Sequence, residues 1–401
     1  MKVINGICLL MIGAVTSVSA QNVMTSSPYS MFGIGEISTG IYGSNVGMGS
    51  VAYGMRGKAL LNIDNPAALT GLDSIRLIAE TSGFLKNEYI SSNGASNRTF
   101  TGNVSSFTMG SRIVPFWYLA VGLKPYSSMG YYFKSEQPLE GAPGSYYEST
   151  FEGSGGLSKL HLSNAFSLPY GFSVGINTSY IFGNLNQSET QSSTSVSQTQ
   201  YVQQFYADFG AQYQRRLSKN HTLTLGAVYG YKQKIKLDGT KLITTSLSET
   251  ESSVKNTTQY LPAFYGIGAA LQYKKLTHAL DYTFQEYSVL TSTDSRIKFR
   301  DTHELRYGIS YDPEGFSSEP FWKRTSYKAG LSVGTPYMKV KGNSGIDWRA
   351  TLGLGFPVNA GRITTSFYYE QMNLNNNALS RRVFGFVISY TLSERLFRVK
   401  L

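Results

Sequence analysis

From about residue 73 to residue 393 the chain alternates, residue by residue, between two kinds of side chain. In TLTLGAVYGYK, Leu223, Leu225, Ala227, Tyr229 and Tyr231 fall on one face of an extended chain, and Thr222, Thr224, Gly226, Val228 and Gly230 on the other. FYGIGAALQYK sets Tyr265, Ile267, Ala269, Leu271 and Tyr273 against Gly266, Gly268, Ala270, Gln272 and Lys274. WRATLGLGF (from Trp348) and RVFGFVISYTL (from Arg382) repeat the arrangement. A period of two is the signature of β-strands. Read this way, the sequence predicts fourteen strands: 73–91, 100–113, 115–133, 147–168, 171–186, 201–217, 221–237, 257–274, 276–291, 301–312, 323–334, 346–357, 361–372 and 382–393.

One face of these strands is apolar and aromatic, the other small or polar. A soluble sandwich turns its large apolar residues inward and shows charge outward, whereas a membrane barrel turns them to lipid. Two features favour the barrel. The non-apolar face is rich in Gly and Ser rather than Lys and Glu, and many strands exceed the five or six residues usual in soluble sheets. The links also alternate. Short ones at Val114, 169–170, 218–220, Lys275 and 359–360 separate longer polar ones at 92–99, 134–146, 187–200, 238–256, 292–300, 335–345 and 373–381. Short turns on one side and long loops on the other characterise outer-membrane barrels, with the short turns in the periplasm. An even strand count puts both chain ends there as well. The link 312–324 breaks the pattern, being long where a short one is expected. The Ser/Thr/Gln-rich stretches 187–200 and 246–257 read as mobile exposed loop.

Composition agrees: aromatic residues are 13% of the chain, with 29 Tyr and 41 Gly, and only 15% are charged. Residues 1–20 carry Lys2, an apolar run from Ile7 to Val15 and a small-residue end at Val18-Ser19-Ala20, which reads as a secretory signal peptide cut before Gln21. The one cysteine, Cys8, lies within it, which excludes disulfides and thiolate sites from the mature chain. The formal charge of +11 comes from basic residues dispersed among strands and turns, so nucleic acid is not an expected partner.

Ahead of the strands, residues 21–42 are polar, Gly-rich and aperiodic, and Ser50–Leu61 is expected to hold a short helix. Within GSNVGMGSVAYGMRGKALLNIDNPAALTGL (43–72) lies Asn65-Pro66-Ala67. Proline fixes φ and drives the residue before it towards extended backbone, so this is a turn with the Asn65 side chain free to bond neighbouring backbone. An Asn-Pro-Ala segment just ahead of a barrel resembles the hatch of the FadL family of outer-membrane channels for hydrophobic compounds. The resemblance implies an all-β fold: a 14-stranded antiparallel transmembrane β-barrel with an N-terminal plug in its lumen. The expected organisation is a signal peptide (1–20), a hatch (21–72) and a barrel (73–401). The resemblance also implies a gating role for Asn65, Pro66 and Ala67. It further implies that a kink in the third strand opens the wall sideways; Pro125 interrupts that strand here, where a ladder N–H is needed, and a simple bulge is the alternative.

Other chemistry is sparse. His161, His221, His278 and His303 have no metal-ligand spacing, no phosphate-binding loop motif occurs, and GSGGLSK (153–159) has the wrong spacing for one. Nothing points to an enzyme, a metal or a cofactor. Charges on predicted lumen-facing positions are Lys124, Asp208, Asp281, Arg306, Lys328, Arg349 and Glu370. They either pair with one another and the plug, or line a route past it. The expected function is uptake of hydrophobic, fatty-acid-like molecules across the outer membrane. The partners are outer-membrane lipid, the hydrophobic ligand and, on a second reading, other outer-membrane or periplasmic proteins. In that reading a non-transporting barrel of the same fold serves a secretion or assembly complex, with 312–324 as a docking surface.

Overall fold

The computed structural model describes residues 27–38, 40–92, 95–138, 144, 146–291, 297–313, 319–340, 342–359, 361–374 and 379–395. The signal-peptide expectation lies outside them. Fourteen barrel strands follow one another in order. They are β1 (Arg76–Ser92), β2 (Ala95–Val114), β3 (Trp117–Pro138), β4 (Tyr146–Ser167), β5 (Phe172–Gln191), β6 (Thr194–Arg216) and β7 (His221–Gly230, continuing as Gln233–Thr244). Then come β8 (Glu249–Leu261, continuing as Phe264–Tyr273), β9 (Leu276–Gln285), β10 (Thr302–Tyr311), β11 (Ser326–Gly334), β12 (Gly345–Val358), β13 (Gly361–Leu374) and β14 (Leu379–Arg395). Each pairs antiparallel with its neighbours, and β14 closes on β1 from Ser380↔Ser91 to Arg395↔Arg76. The protein is a closed 14-stranded antiparallel barrel.

Exposure settles which face points out. On β6, Phe205 and Phe209 are 69% and 43% exposed, while Tyr206 and Asp208 between them are each 4% exposed. The outward residues Phe205, Ala207, Phe209, Ala211 and Tyr213 form an apolar run bounded by Gln203 at one end and Arg215 at the other. Nine residues of tilted strand span about 25 Å, the height of the apolar band of such barrels. A soluble sandwich is thereby excluded, because its exposed face would carry the charges.

Two sequence expectations are corrected. The stretch 187–200 is not loop: β5 and β6 pair continuously from Ser173↔Gln212 to Gln191↔Thr194, around a tight turn with Ser192 at φ 47°. Likewise Glu249–Val254 pairs with Gly239–Thr244. Alternating Thr, Ser, Gln and Val have too little apolar surface for a core. They nevertheless extend a ladder already nucleated in the membrane, since each added pair needs only backbone hydrogen bonds. Residues 50–61 hold no helix; helical turns flank them at Val46–Met48 and Pro66–Gly71 instead.

In the long link after β10, a single helical turn, Phe321–Arg324, folds against the outer wall. Phe321 stacks on Phe356 of β12 at 5.5 Å, and the Tyr327 hydroxyl donates to the Trp322 carbonyl at 3.2 Å. These aromatic rings lie at the edge of the apolar band, a place that suits amphipathic rings. The opposite end carries a two-stranded ribbon, Ile297–Phe299 with Met338–Val340.

The segment ahead of β1 lies inside the barrel, in contact with its wall on every side. Val46–Gly49 meets Gly308, Gly330 and Gly353, Tyr53 meets Gly226, Gly266 and Gly268, and Asn65-Pro66 meets Gly175 and Gly210. A Cβ at Gly226 would overlap the Tyr53 carbonyl oxygen. The small face of the strands is therefore shaped by the plug. Gly226→Val should leave the barrel closed but unseat the plug, since overpacking costs about 1–3 kcal/mol. Hydrogen exchange of residues 46–72 should then rise roughly tenfold or more; unchanged exchange would show that the close approach does not matter.

Candidate functional site

Asn65 is fully buried and caps the turn Pro66–Gly71. Its backbone is extended (φ −129°, ψ 99°), as the following proline requires. Its amide Nδ2 donates to the Tyr53 carbonyl at 2.8 Å and to the Ala211 carbonyl of β6 at 3.2 Å, and its Oδ1 accepts from the Ala67 N–H at 3.2 Å. One side chain thus joins two parts of the plug to the wall. Pro66 and Ala67 are buried beside it, Pro66 against Gly175 of β5.

The lumen-facing charges bond to the plug and to one another. Lys124 reaches Asp64 at 3.1 Å, and Asp64 also accepts from the Tyr42 hydroxyl. Asp281 accepts from the backbone N–H groups of Ala52 and Tyr53 at 2.6 and 3.0 Å. Arg306 pairs with Glu304 at 2.5 Å and donates to the Ser50 carbonyl, while Lys328 donates to the Ser44 carbonyl at 2.8 Å. Asp208 holds Lys159 at 2.5 Å and accepts from Asn177, which also donates to the Ile63 carbonyl. Arg349 and Glu370 pair at 2.7 Å. Between plug and wall lies a cavity of about 130 Å³ lined by Tyr42, Lys124, Pro125, Tyr126, Asp208 and Arg306, among others. The histidines are dispersed: His161 is buried in the lumen, His221 stacks on Tyr273, and His278 and His303 bond the Tyr307 and Tyr282 hydroxyls.

At Pro125 the wall changes. The β2–β3 ladder runs from Val114↔Trp117 to Phe107↔Leu123 and then stops, while β3 stays paired with β4 through a bulge between Pro125 and Ser127. A second bulge, between Ser82 and Gly83 in the β1–β2 pairing, marks the same level on β2. Above it the two strands separate. The N-terminal segment enters the split: Glu36 and Ile37 pair with Ser128 and Ser127, and the Ser38 N–H donates to the Tyr126 carbonyl at 2.9 Å. Glu36 is also pinned to Arg381 of β14 at 2.7 Å, and Arg381 to Glu88 at 2.7 Å. Further along, Ile34 is fully buried among Met129, Leu157, Ile181, Val202 and Leu237, with Met31 packed against the same cluster. This apolar upper lumen is filled by the chain's own lead. The sequence reading reached the third-strand proline but missed Glu36, Ile37, Ile34, Tyr42 and Asp64, which lie in stretches with no periodicity to follow.

Asn65→Ala removes two donated bonds and one accepted bond at a buried position, at a cost of about 1–3 kcal/mol. The melting temperature in detergent should fall, and Asn65→Asp, which keeps only the acceptor, should fall with it. Unchanged melting in both would remove Asn65 from the plug's anchorage.

Against known proteins, no curated sequence matches this chain. Among solved structures, the Pseudomonas putida toluene transporter TodX aligns over 90% of this chain and 100% of its own, with 14% identity and a TM-score of 0.62. A Pseudomonas aeruginosa FadL homologue covers 91% and 100% at 13% identity and a TM-score of 0.59. The Ralstonia pickettii toluene transporter TbuX covers 88% and 98% at 12% and 0.58. At such identities the likeness is one of fold, and the fold is that of FadL-type outer-membrane barrels, as the hatch resemblance implies. The sequence itself matches a family profile under a different name, BamG, over residues 1–400. The chain belongs to the BamG family and has the FadL-type barrel fold.

Proposed function

We propose that this protein is an outer-membrane channel for hydrophobic small molecules, closed here by its own N-terminal segment. The observation that carries this is the split between β2 and β3 at Pro125, which adjoins an apolar upper lumen occupied by Met31 and Ile34. An acyl chain or aromatic ring of similar size would gain the same transfer free energy in that place, about 25 cal/mol per Å² of apolar surface. Withdrawal of Glu36–Ile37 from the split would open a sideways exit into the bilayer, with movement of the turn at Asn65-Pro66-Ala67 connecting lumen and exit. The charges at Lys124, Asp208 and Arg306 border that path through the 130 Å³ cavity. The toluene transporters of the same fold support a solute of this class. Both chain ends face the periplasm in this reading, since the short turns lie at their end of the barrel.

A second reading has support of its own. The cavity beside Pro125 is lined by charges, whereas cavities that hold an apolar ring are apolar at ~150 Å³. A barrel with a filled lumen fits a non-transporting subunit of an outer-membrane secretion or assembly complex. Phe321 and Trp322, at the end with the chain ends and 44% and 65% exposed, would be its contact.

Cα partners Ile37 and Ser127 allow a lock, because the mature chain carries no cysteine. In Ile37→Cys/Ser127→Cys, oxidation should lower uptake of a fluorescent fatty acid by cells about tenfold or more, an arrested exit being worth at least ~1.4 kcal/mol of barrier. Reductant should restore it. Uptake that ignores both, together with stoichiometric partners retained in mild detergent, would favour the subunit reading.

A further inference from the structure

We infer that a cleft on the outer wall between β6 and β7 binds the phosphate of an outer-leaflet glycolipid. The placement in the outer leaflet rests on the orientation proposed above.

The ladder between these strands is broken. It runs from Arg216↔Thr222 up to Asp208↔Gly230, and resumes only at Tyr201↔Asp238. Between them, 202–207 and 231–237 form no ladder pairs with each other, and the gap is bridged by the Gln233 amide, which donates to the Phe205 carbonyl at 2.8 Å. The cause lies in β7 and β8 together. Up to Gly230 the odd residues of β7 point outward: Leu225 and Tyr229 are exposed while Val228 is buried. Above it Tyr231 turns inward onto Tyr206, with ring centroids 5.2 Å apart, and Ile235 and Leu237 are buried in the lumen. A switch of phase by one residue reverses which side chains face out. β8 makes the same switch at Pro262-Ala263, so Leu261 is fully buried and Tyr260 lies in register with Lys234.

The outward positions of upper β7 are therefore Lys232, Lys234 and Lys236. All three are exposed, and none enters the ion pairs among the described residues. By contrast, Lys86, Lys124, Lys134 and Lys159 all pair with carboxylates. One carboxylate, Asp238, follows on the same face. Lys234, Lys236 and Asp238 line an open cleft of about 790 Å³ with Tyr201, Gln203 and Ser253, two cations to one carboxylate. Lys232 lies 5.7 Å from the Tyr260 ring centroid.

Depth selects the occupant. The cleft begins at Gln203 and Gln204, just beyond Phe205 where the apolar band of β6 ends, so the lysines stand at the height of lipid headgroups. Outer-leaflet glycolipids of an outer membrane carry phosphate on their sugars at that height, with acyl chains running down the wall. Phe205, Phe209 and Tyr229 offer those chains an apolar surface. Lysine is a compact charge that suits phosphate.

The test is native mass spectrometry of the detergent-purified protein with diphosphoryl lipid A, its dephosphorylated form, or phosphatidylglycerol. Binding in detergent is independent of orientation, so its failure and the failure of the orientation are separable. Wild type should retain diphosphoryl lipid A and not the dephosphorylated form. Lys232→Gln/Lys234→Gln/Lys236→Gln should weaken retention on the order of a hundredfold. Lys234→Gln alone should weaken it less, and Lys274→Gln/Lys275→Gln, at the opposite end, should not weaken it. Equal retention by the triple variant, equal loss in the control, or displacement by inorganic phosphate or preference for phosphatidylglycerol would overturn the assignment.

Discussion

Inside a bilayer a backbone amide has no water to bond, so a wall of strands must satisfy itself or be patched. Among the described residues, two neighbour pairs of this barrel lose their ladder over several residues, and the others carry at most a local bulge, as in β1–β2, β3–β4 and β7–β8. The two departures, β2 against β3 and β6 against β7, lie on either side of the tall face formed by β3–β6. Each is repaired differently. The first receives a foreign strand from the plug, and the second is bent by a matched change of phase in β7 and β8 and bridged by Gln233. Both departures occur at or above mid-wall, where an interior filled by Ile34, Tyr206, Ile235 and Leu261 keeps water out.

The same constraint explains the interior. Charges such as Asp281 and Arg306 are buried, and a buried charge needs partners. The plug supplies them from its backbone as much as from its side chains: the N–H groups of Ala52 and Tyr53, the carbonyls of Ser44 and Ser50. Where plug backbone packs directly against wall backbone, at Met48, Gly49 and Tyr53, the wall residue is glycine: Gly308, Gly330 and Gly226. Polar pairing and glycine placement are therefore one device, and a change in either disturbs the other.

Much of this was legible in the sequence. Leu223 to Tyr229 and Trp348 to Phe356 carried the strand signal because their two faces meet different media, lipid and plug. The count of fourteen followed. Gly and Ser on the second face announced a filled lumen before any plug was placed. Asn65-Pro66 announced a turn, though not that the Asn65 amide bonds β6 across 146 residues of chain. Gln187–Gln200 misled because composition reports whether a segment can bury a core, and a hairpin that grows from a membrane-anchored ladder has no need of one. The lead from Ser30 to Tyr42 was opaque for another reason. Its conformation is set by the walls it enters, and nothing local in Gly35-Glu36-Ile37 distinguishes a strand from a coil.

Plug and seam are neighbours in the chain. Residues 43–72 run directly into β1, and β1 is the strand on which β14 closes. The seam is thus the last ladder a growing barrel can complete, because its two strands are the first and last to be made. The plug, tethered to one lip of that seam, touches walls as remote as Gly330 and Gly353. Its contacts span nearly the full sequence, the kind of long-range topology that folds slowly. A sheet that curled shut before the plug was seated would leave buried charges without partners and glycines facing empty space. The seating of residues 43–72 and the closing of the seam are therefore energetically coupled, each lowering the cost of the other.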